Sequence, residues 1–127
     1  MNDTQGSPAE HMTTRLTMDS FEVMALSSIR LFFGSYCGIQ SSAYELSLRE
    51  ARSRLGSTGG PMFVAFVSDF VAGIRNTRIN GFSFLSVGCD ACQSNLTHDE
   101  CAAMRVVHAA RSRDFPDLET RSGRLLH

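Results

Sequence analysis

The sequence predicts an all-α protein in which four helices form an up-down, bundle-like single domain. Apolar residues recur at helical spacing in several segments, two of these segments begin with helix-capping signals, and glycine-rich or polar stretches separate them. At 127 residues, 43% of them hydrophobic, the chain has the size and apolar content of one globular domain. We expect a helical domain over 18–112, a disordered N-terminal tail over 1–17 and a charged, flexible C-terminal tail over 113–127.

The first helix is predicted to begin after Asp19 and to end at the break over 34–38. Asp19 is a favourable N-cap, and Glu22 three residues later completes a capping box. Cys37 lies in the break that ends this helix. A single stripe of small and apolar residues follows the cap at helical spacing: Phe21, Met24, Ala25, Ser28, Ile29 and Phe32.

The second and third helices are predicted on either side of the glycine-rich loop 56–60. The second covers 39–55, with Tyr44, Leu48, Ala51 and Leu55 on one face. The third begins at Pro61, because proline is well suited to the first helical position, and it ends at the Asn80–Gly81 turn. Its apolar positions repeat at helical spacing: Phe63, Phe66, Val67, Phe70, Val71 and Ile74.

The segment before the fourth helix carries mixed signals. Phe82 and Phe84 alternate with serines, which is compatible with a short extended segment over 82–87. The fourth helix is predicted to begin after Thr97, because Thr97 and Glu100 form a second capping box.

Composition and charge argue against several classes of protein. A formal net charge of −1 disfavours binding to nucleic acid through bulk positive charge. No run of about 18 apolar residues free of charge is present, so no membrane span is predicted. The first ten residues are polar and lack the apolar core of a secretory signal, which leads us to expect a cytoplasmic protein with reduced thiols.

Four cysteines are the most suggestive chemical feature. Cys89 and Cys92 form a CxxC pair, and Cys101 follows in the first turn of the fourth helix. A CxxC turn can direct two sulfurs at one ion, and a helix N-terminus favours the thiolate form of cysteine. His98 at the same helix start is an alternative ligand, and Cys37 would be a distant fourth.

Convergence of these residues depends on the path of the connector 79–97. A connector that stays at one end of the bundle would bring Cys37 to the later cysteines, and the set could then bind zinc or an iron–sulfur cluster. A connector that runs the length of the bundle would leave Cys37 far from them. The sequence leaves both paths open, and the cysteines could equally be core residues with no cofactor.

Signals for catalysis or phosphate binding are weak. The loop over 56–60 lacks the lysine and the spacing of a phosphate-binding loop. Arg105, Arg111 and Arg113 could contact phosphate, but the near-neutral net charge favours reading them as a solvated face. We therefore expect a protein that is not an enzyme.

The leading hypothesis is a small regulatory or accessory protein whose cysteine cluster couples metal or redox state to helix packing. It would act through a protein partner or as a homodimer, with no membrane association and no expected nucleic-acid partner. The first alternative is a metal-free helical module that dimerises or binds a protein through its Phe-rich surface. The second is a thiol–disulfide oxidoreductase that uses Cys89 and Cys92.

Overall fold

The structure, a computed structural model, describes residues 17–38, 41–85 and 95–127. Over these ranges it contains helices and no strand, so the predicted all-α, helical-bundle fold class is confirmed. α1 packs mainly against α2 and α3 mainly against α4, while further contacts between α1 and α3 and between α2 and α4 join the two pairs. The four helices are α1 (Ser20–Tyr36), α2 (Ala43–Thr77), α3 (His98–Arg111) and α4 (Phe115–Leu126).

The two capping boxes form as the sequence predicts. The Asp19 carboxylate accepts a hydrogen bond from the Glu22 backbone N–H at the start of α1. At the start of α3, the Thr97 hydroxyl accepts a hydrogen bond from the Glu100 backbone N–H. Each box satisfies backbone donors that a helix start leaves without intrahelical partners, which explains why both helices begin where they do.

The α1 helix is buried on nearly all sides, and not along a single stripe. Between Met24 and Gly34, every residue except Ser27 is buried. A helix that is apolar around most of its circumference is stable when other elements surround it. This explains why α1 contacts both α2 and α3.

A sharp kink at Gly56 divides α2 into two arms. Gly56 has φ 85° and ψ −178°, a conformation that glycine adopts without the steric cost of a Cβ atom. We call residues 43–55 the first arm and residues 57–77 the second arm. A Cβ atom added to Gly60 would lie 2.8 Å from the backbone nitrogen of Arg52, so the two arms approach closely beside the kink. The predicted loop over 56–60 is thus a one-residue break, and Pro61 lies inside the second arm.

The predicted flexible tail over 113–127 is wrong for most of its length, because residues 115–126 form α4. Pro116 suggested a break, but it lies in the first turn, where its missing N–H costs no hydrogen bond. The Asp114 carboxylate caps the helix by accepting from the Asp117 N–H at 3.1 Å. Leu125 is only 2% exposed, so the apolar face of α4 completes the core.

Aromatic contacts attach the segment after α2 to α1. Phe33 stacks on Phe82, with ring centroids 4.3 Å apart, and lies 5.8 Å from the ring of Phe84. Residues 81–85 have no regular secondary structure, and the remainder of the segment predicted as extended over 82–87 lies outside the described residues. The predicted disordered tail over 1–17 also lies outside them, apart from residue 17.

One helix in the described part of the chain, α2, is long and apolar enough by composition to cross a membrane. A third of its apolar 18-residue window is buried inside the fold, and core helices of soluble proteins pass the same test.

Candidate functional site

The predicted metal ligands lie in different surroundings. Cys37 is exposed at the end of α1, whereas Cys101 is buried in the first turn of α3. His98 and Cys101 line one pocket, and Cys37 lines another. Cys89 and Cys92 lie outside the described residues. Within 17–38, 41–85 and 95–127, no group of three or more His, Cys, Asp or Glu side chains could hold a metal ion, so the metal centre remains a prediction that depends on the CxxC pair.

The pocket beside Cys101 has a volume of about 510 Å³ and opens between α3 and α4. On α3, Cys101, Ala102 and Arg105 lie three, four and seven residues after His98, which places these four on one helix face, and Asp99 lies beside them. The end of α2 contributes one arginine and α4 contributes two. The lining residues are Arg78, His98, Asp99, Cys101, Ala102, Arg105, Arg121 and Arg124.

A buried ion pair fixes the N-terminus of α3 at this pocket. Glu100 is fully buried and accepts hydrogen bonds from Nε and Nη2 of Arg30 in α1, at 2.7 and 2.9 Å. The backbone N–H groups of Leu85 and Thr97 each donate to the same carboxylate at 3.0 Å. Four donors thus compensate one buried charge, which makes this the main polar anchor between α1 and α3.

A second ion pair holds Arg78 at the pocket wall. Its Nη2 donates to Oδ1 of Asp99 at 2.6 Å, and its Nη1 donates to the carbonyl of Leu125 at 3.2 Å. The other carboxylate oxygen of Asp99 accepts from the Ser83 N–H at 2.7 Å. Nε of Arg78 is buried and has no hydrogen-bond partner among the described residues. Arg78 therefore joins the end of α2 to α3 and α4 and retains an unused donor.

The remaining arginines give the pocket a positive potential. Nε of Arg105 donates to Sγ of Cys101 at 3.3 Å, and Nε of Arg121 pairs with Asp117 at 3.2 Å. Within the part of the chain that the structure describes, Arg124 forms no ion pair. Four arginines line the pocket, and two of them are paired with the carboxylates of Asp99 and Asp117, which leaves a local excess of two positive charges. Such a pocket attracts anions, and it repels divalent cations.

A separate polar cluster connects the start of α1 to the end of α3. Nη1 of Arg111 lies 2.7 Å from Oδ2 of Asp19, and Nδ1 of His108 lies 3.0 Å from Oε2 of Glu22. The hydrogen bond from the Arg111 guanidinium lowers the pKa of the Asp19 carboxyl, and the same bond raises the pKa of Arg111. This cluster stabilises the packing of α1 on α3 and is separate from the pocket.

The arginine pocket could not be recognised from the sequence. Its residues come from three helices, and the net charge of −1 conceals a local positive excess. Arg121 and Arg124 fall in the segment predicted to be a flexible tail. Their three-residue spacing on an amphipathic helix was the one signal that could have indicated a shared face.

Comparisons of the chain with protein-family models, with curated proteins and with solved structures found no match.

Proposed function

We propose that this protein is a small helical binding protein that takes a phosphorylated small molecule in the pocket between α3 and α4. The observation that carries the proposal is the presence of four arginines, two of them without a carboxylate partner among the described residues, around a concave volume of about 510 Å³. Small-molecule sites are concave and have volumes of about 300–1,000 Å³. A phosphate monoester carries a charge of about −1.5 to −2 near neutral pH, and so it matches this potential.

The chemistry of the lining groups favours phosphate over other ligands. Guanidinium groups present several N–H donors in a planar fork that matches phosphate oxygens. Arg105 and Arg124 line the pocket and have no carboxylate partner among the described residues. These groups would gain hydrogen bonds from a bound dianion. The same positive charge disfavours binding of a zinc ion, although Cys101 and His98 line the pocket.

Ligand binding would also stabilise the fold. Arg78 already contacts Asp99 in α3 and the Leu125 carbonyl in α4. A ligand that contacts the end of α2 together with α3 and α4 binds the folded state and not the unfolded chain, so it raises the free energy of unfolding. This property suits a regulatory or accessory protein whose ligand controls its stability.

Phenyl phosphate is a suitable probe, and titration calorimetry measures its affinity. We expect the double variant Arg105→Gln and Arg124→Gln to bind it at least about tenfold more weakly, because each lost charge-assisted hydrogen bond is worth about 1.5–3 kcal/mol. Benzenesulfonate, a monoanion of similar shape, should bind the wild type more weakly than phenyl phosphate.

The matched control replaces two arginines on the exposed first arm of α2, Arg49→Gln and Arg54→Gln. It changes the net charge by the same amount and should retain wild-type affinity. Absence of saturable binding to the wild type would overturn the proposal. An equal loss of affinity in the control would also overturn it, because the attraction would then come from overall charge.

A further inference from the structure

The arginine pocket contains a thiol. Cys101 is 6% exposed and lines the pocket between His98 and Arg105, each about one helical turn away from it on α3. Nε of Arg105 donates a hydrogen bond to Sγ of Cys101 at 3.3 Å. A molecule that fills this volume of about 510 Å³ therefore contacts both the cysteine and the arginine that is bonded to its sulfur.

The surroundings of Cys101 are those in which thiols react. The thiolate is the nucleophile in thiol chemistry, and reactive cysteines lie beside cationic side chains and near helix N-termini, whereas cysteines in purely apolar surroundings are inert. Cys101 lies in the first turn of α3, and its sulfur accepts from the Arg105 guanidinium. Arg124 lines the same pocket from α4. This cluster joins a nucleophilic atom to a concave, positively charged volume.

The charge of the pocket selects the class of molecule that reaches this thiol. Arg105 and Arg124 have no carboxylate partner among the described residues, and the pocket retains an excess of two positive charges. A reagent with two carboxylates matches this excess, and a reagent with two ammonium groups is repelled. Electrostatic steering of this kind changes association rates by about 10–1,000-fold.

We propose that Cys101 is a modification site at which an anionic low-molecular-weight disulfide forms a mixed disulfide and closes the pocket to phosphate. This inference rests on the proposed function, because it concerns the regulation of the same pocket. Sγ of Cys101 loses its proton to solvent and attacks one sulfur of the reagent. The S–S bond of the reagent breaks as the new S–S bond forms, and the other half leaves as a thiolate that takes up a proton. Cys101 is thereby oxidised and the departing half is reduced.

The adduct competes directly with a phosphorylated ligand. It places a carboxylate among Arg105 and Arg124, the two arginines that would otherwise gain hydrogen bonds from the phosphate, and it occupies part of the pocket volume. A thiol reductant reverses the exchange and releases the adduct. Phosphate binding should therefore be lost on modification and return on reduction.

Two disulfides of similar length and opposite charge test the proposal. Dithiodipropionate carries two carboxylates and cystamine carries two ammonium groups, and mass spectrometry of proteolytic peptides follows the adduct at Cys101 with time. Each rate is divided by the rate at Cys101 in the chain unfolded in urea, which removes the intrinsic reactivity of the reagent. We expect the normalised rate with the dianion to exceed that with the dication by at least about tenfold.

Matched variants identify the source of this preference. The double variant Arg105→Gln and Arg124→Gln should lose most of the preference for the dianion at Cys101. The double variant Arg49→Gln and Arg54→Gln, which changes the net charge equally on the first arm of α2, should keep it.

A second measurement needs no variant. Phenyl phosphate should slow the modification of Cys101 by dithiodipropionate and leave the rate at Cys37 unchanged, because Cys37 is exposed and lines a different pocket. Titration calorimetry of the modified protein, before and after dithiothreitol, should show phosphate binding lost and then restored.

Several results would overturn the proposal. One is a Cys101 that reacts only in urea, which would make it an inert core thiol. Others are equal normalised rates for the two reagents, or a preference that persists in the Arg105→Gln and Arg124→Gln variant. The two proposals can be told apart. A wild type that binds phenyl phosphate but has an unreactive Cys101 refutes the modification site alone, and a charge-selective Cys101 in a wild type without phosphate binding refutes the proposed function alone.

Discussion

Arg30 and Glu100 lie 70 positions apart in the chain and form a two-bond ion pair in the protein interior, at 2.7 and 2.9 Å. Glu100 is also the third residue of the α3 capping box. One carboxylate therefore begins α3 and attaches it to α1. The position of the arginine pocket depends on this pair, because the pocket includes the first turn of α3.

Loss of the Glu100 charge should destabilise the protein strongly. The Glu100→Gln variant leaves the buried guanidinium of Arg30 without its carboxylate, and breaking such a pair costs about 3–5 kcal/mol. Urea unfolding followed by circular dichroism measures the change. The control is Glu50→Gln, because the exposed pair Glu50–Arg54 has a separation of 3.6 Å and contributes about 0.5 kcal/mol or less. Similar losses in both variants would contradict the anchoring role of Glu100.

Substitution of Gly60, beside the kink in α2, should destabilise the protein. In Gly60→Ala, the new methyl group would lie 2.8 Å from the Arg52 backbone nitrogen, so the two arms must separate. Overpacking of this kind costs about 1–3 kcal/mol, which thermal or urea unfolding can measure. Gly123→Ala meets no atom within 4 Å and should instead stabilise the protein, by up to about 1 kcal/mol. A Gly60→Ala variant as stable as wild type would show that the arms do not touch.

Truncation of one side chain distinguishes a packed α4 from a flexible tail. Leu125→Ala removes a side chain that is 2% exposed, and a buried leucine truncated in this way costs about 2–5 kcal/mol. Phe115→Ala, at a residue 65% exposed in the same helix, should change the free energy of unfolding by no more than about 0.5 kcal/mol. If neither Leu125→Ala nor Phe115→Ala changed the free energy of unfolding, the result would support the flexible tail that the sequence predicted.

The Asp19–Arg111 pair should contribute to stability in a pH-dependent way. The Arg111 hydrogen bond lowers the pKa of Asp19 below its usual value of 3.8, so the folded state binds the proton less readily than the unfolded chain. The contribution is therefore complete above the unfolded pKa and is lost as pH falls through the lower folded value.

Comparison with Asp19→Asn isolates this contribution, since asparagine retains the N-cap but not the charge. Acid titrations of unfolding should give curves that differ at neutral pH and converge below pH 3.8. High salt should reduce the difference, because the pair is exposed to solvent. If the free energies of unfolding of wild type and Asp19→Asn differed by the same amount at every pH, the Asp19–Arg111 pair would not be the source of the pH dependence.

Features that depend on near neighbours in the chain could be predicted from the sequence. The capping boxes at Asp19 and Thr97 involve residues three positions apart, and the break near Gly56 reflects the conformational freedom of glycine. The all-α class follows from these local signals and from helical spacing. The C-terminal helix was missed because Pro116 reads as a breaker until its place in the first turn is known.

The candidate site depends on contacts between distant parts of the chain. The spacing of residues in the sequence predicted Cys101 and His98 as metal ligands. In the fold, these two residues lie among arginines from α2, α3 and α4. Glu100 could be predicted as part of a capping box, but nothing in the sequence indicated that it pairs with Arg30. Local backbone preferences act over about one helical turn, so the local order of capping and apolar residues determined the helices and where they begin. Ion pairing and burial act across the folded interior, so only the packed arrangement brought the arginines together.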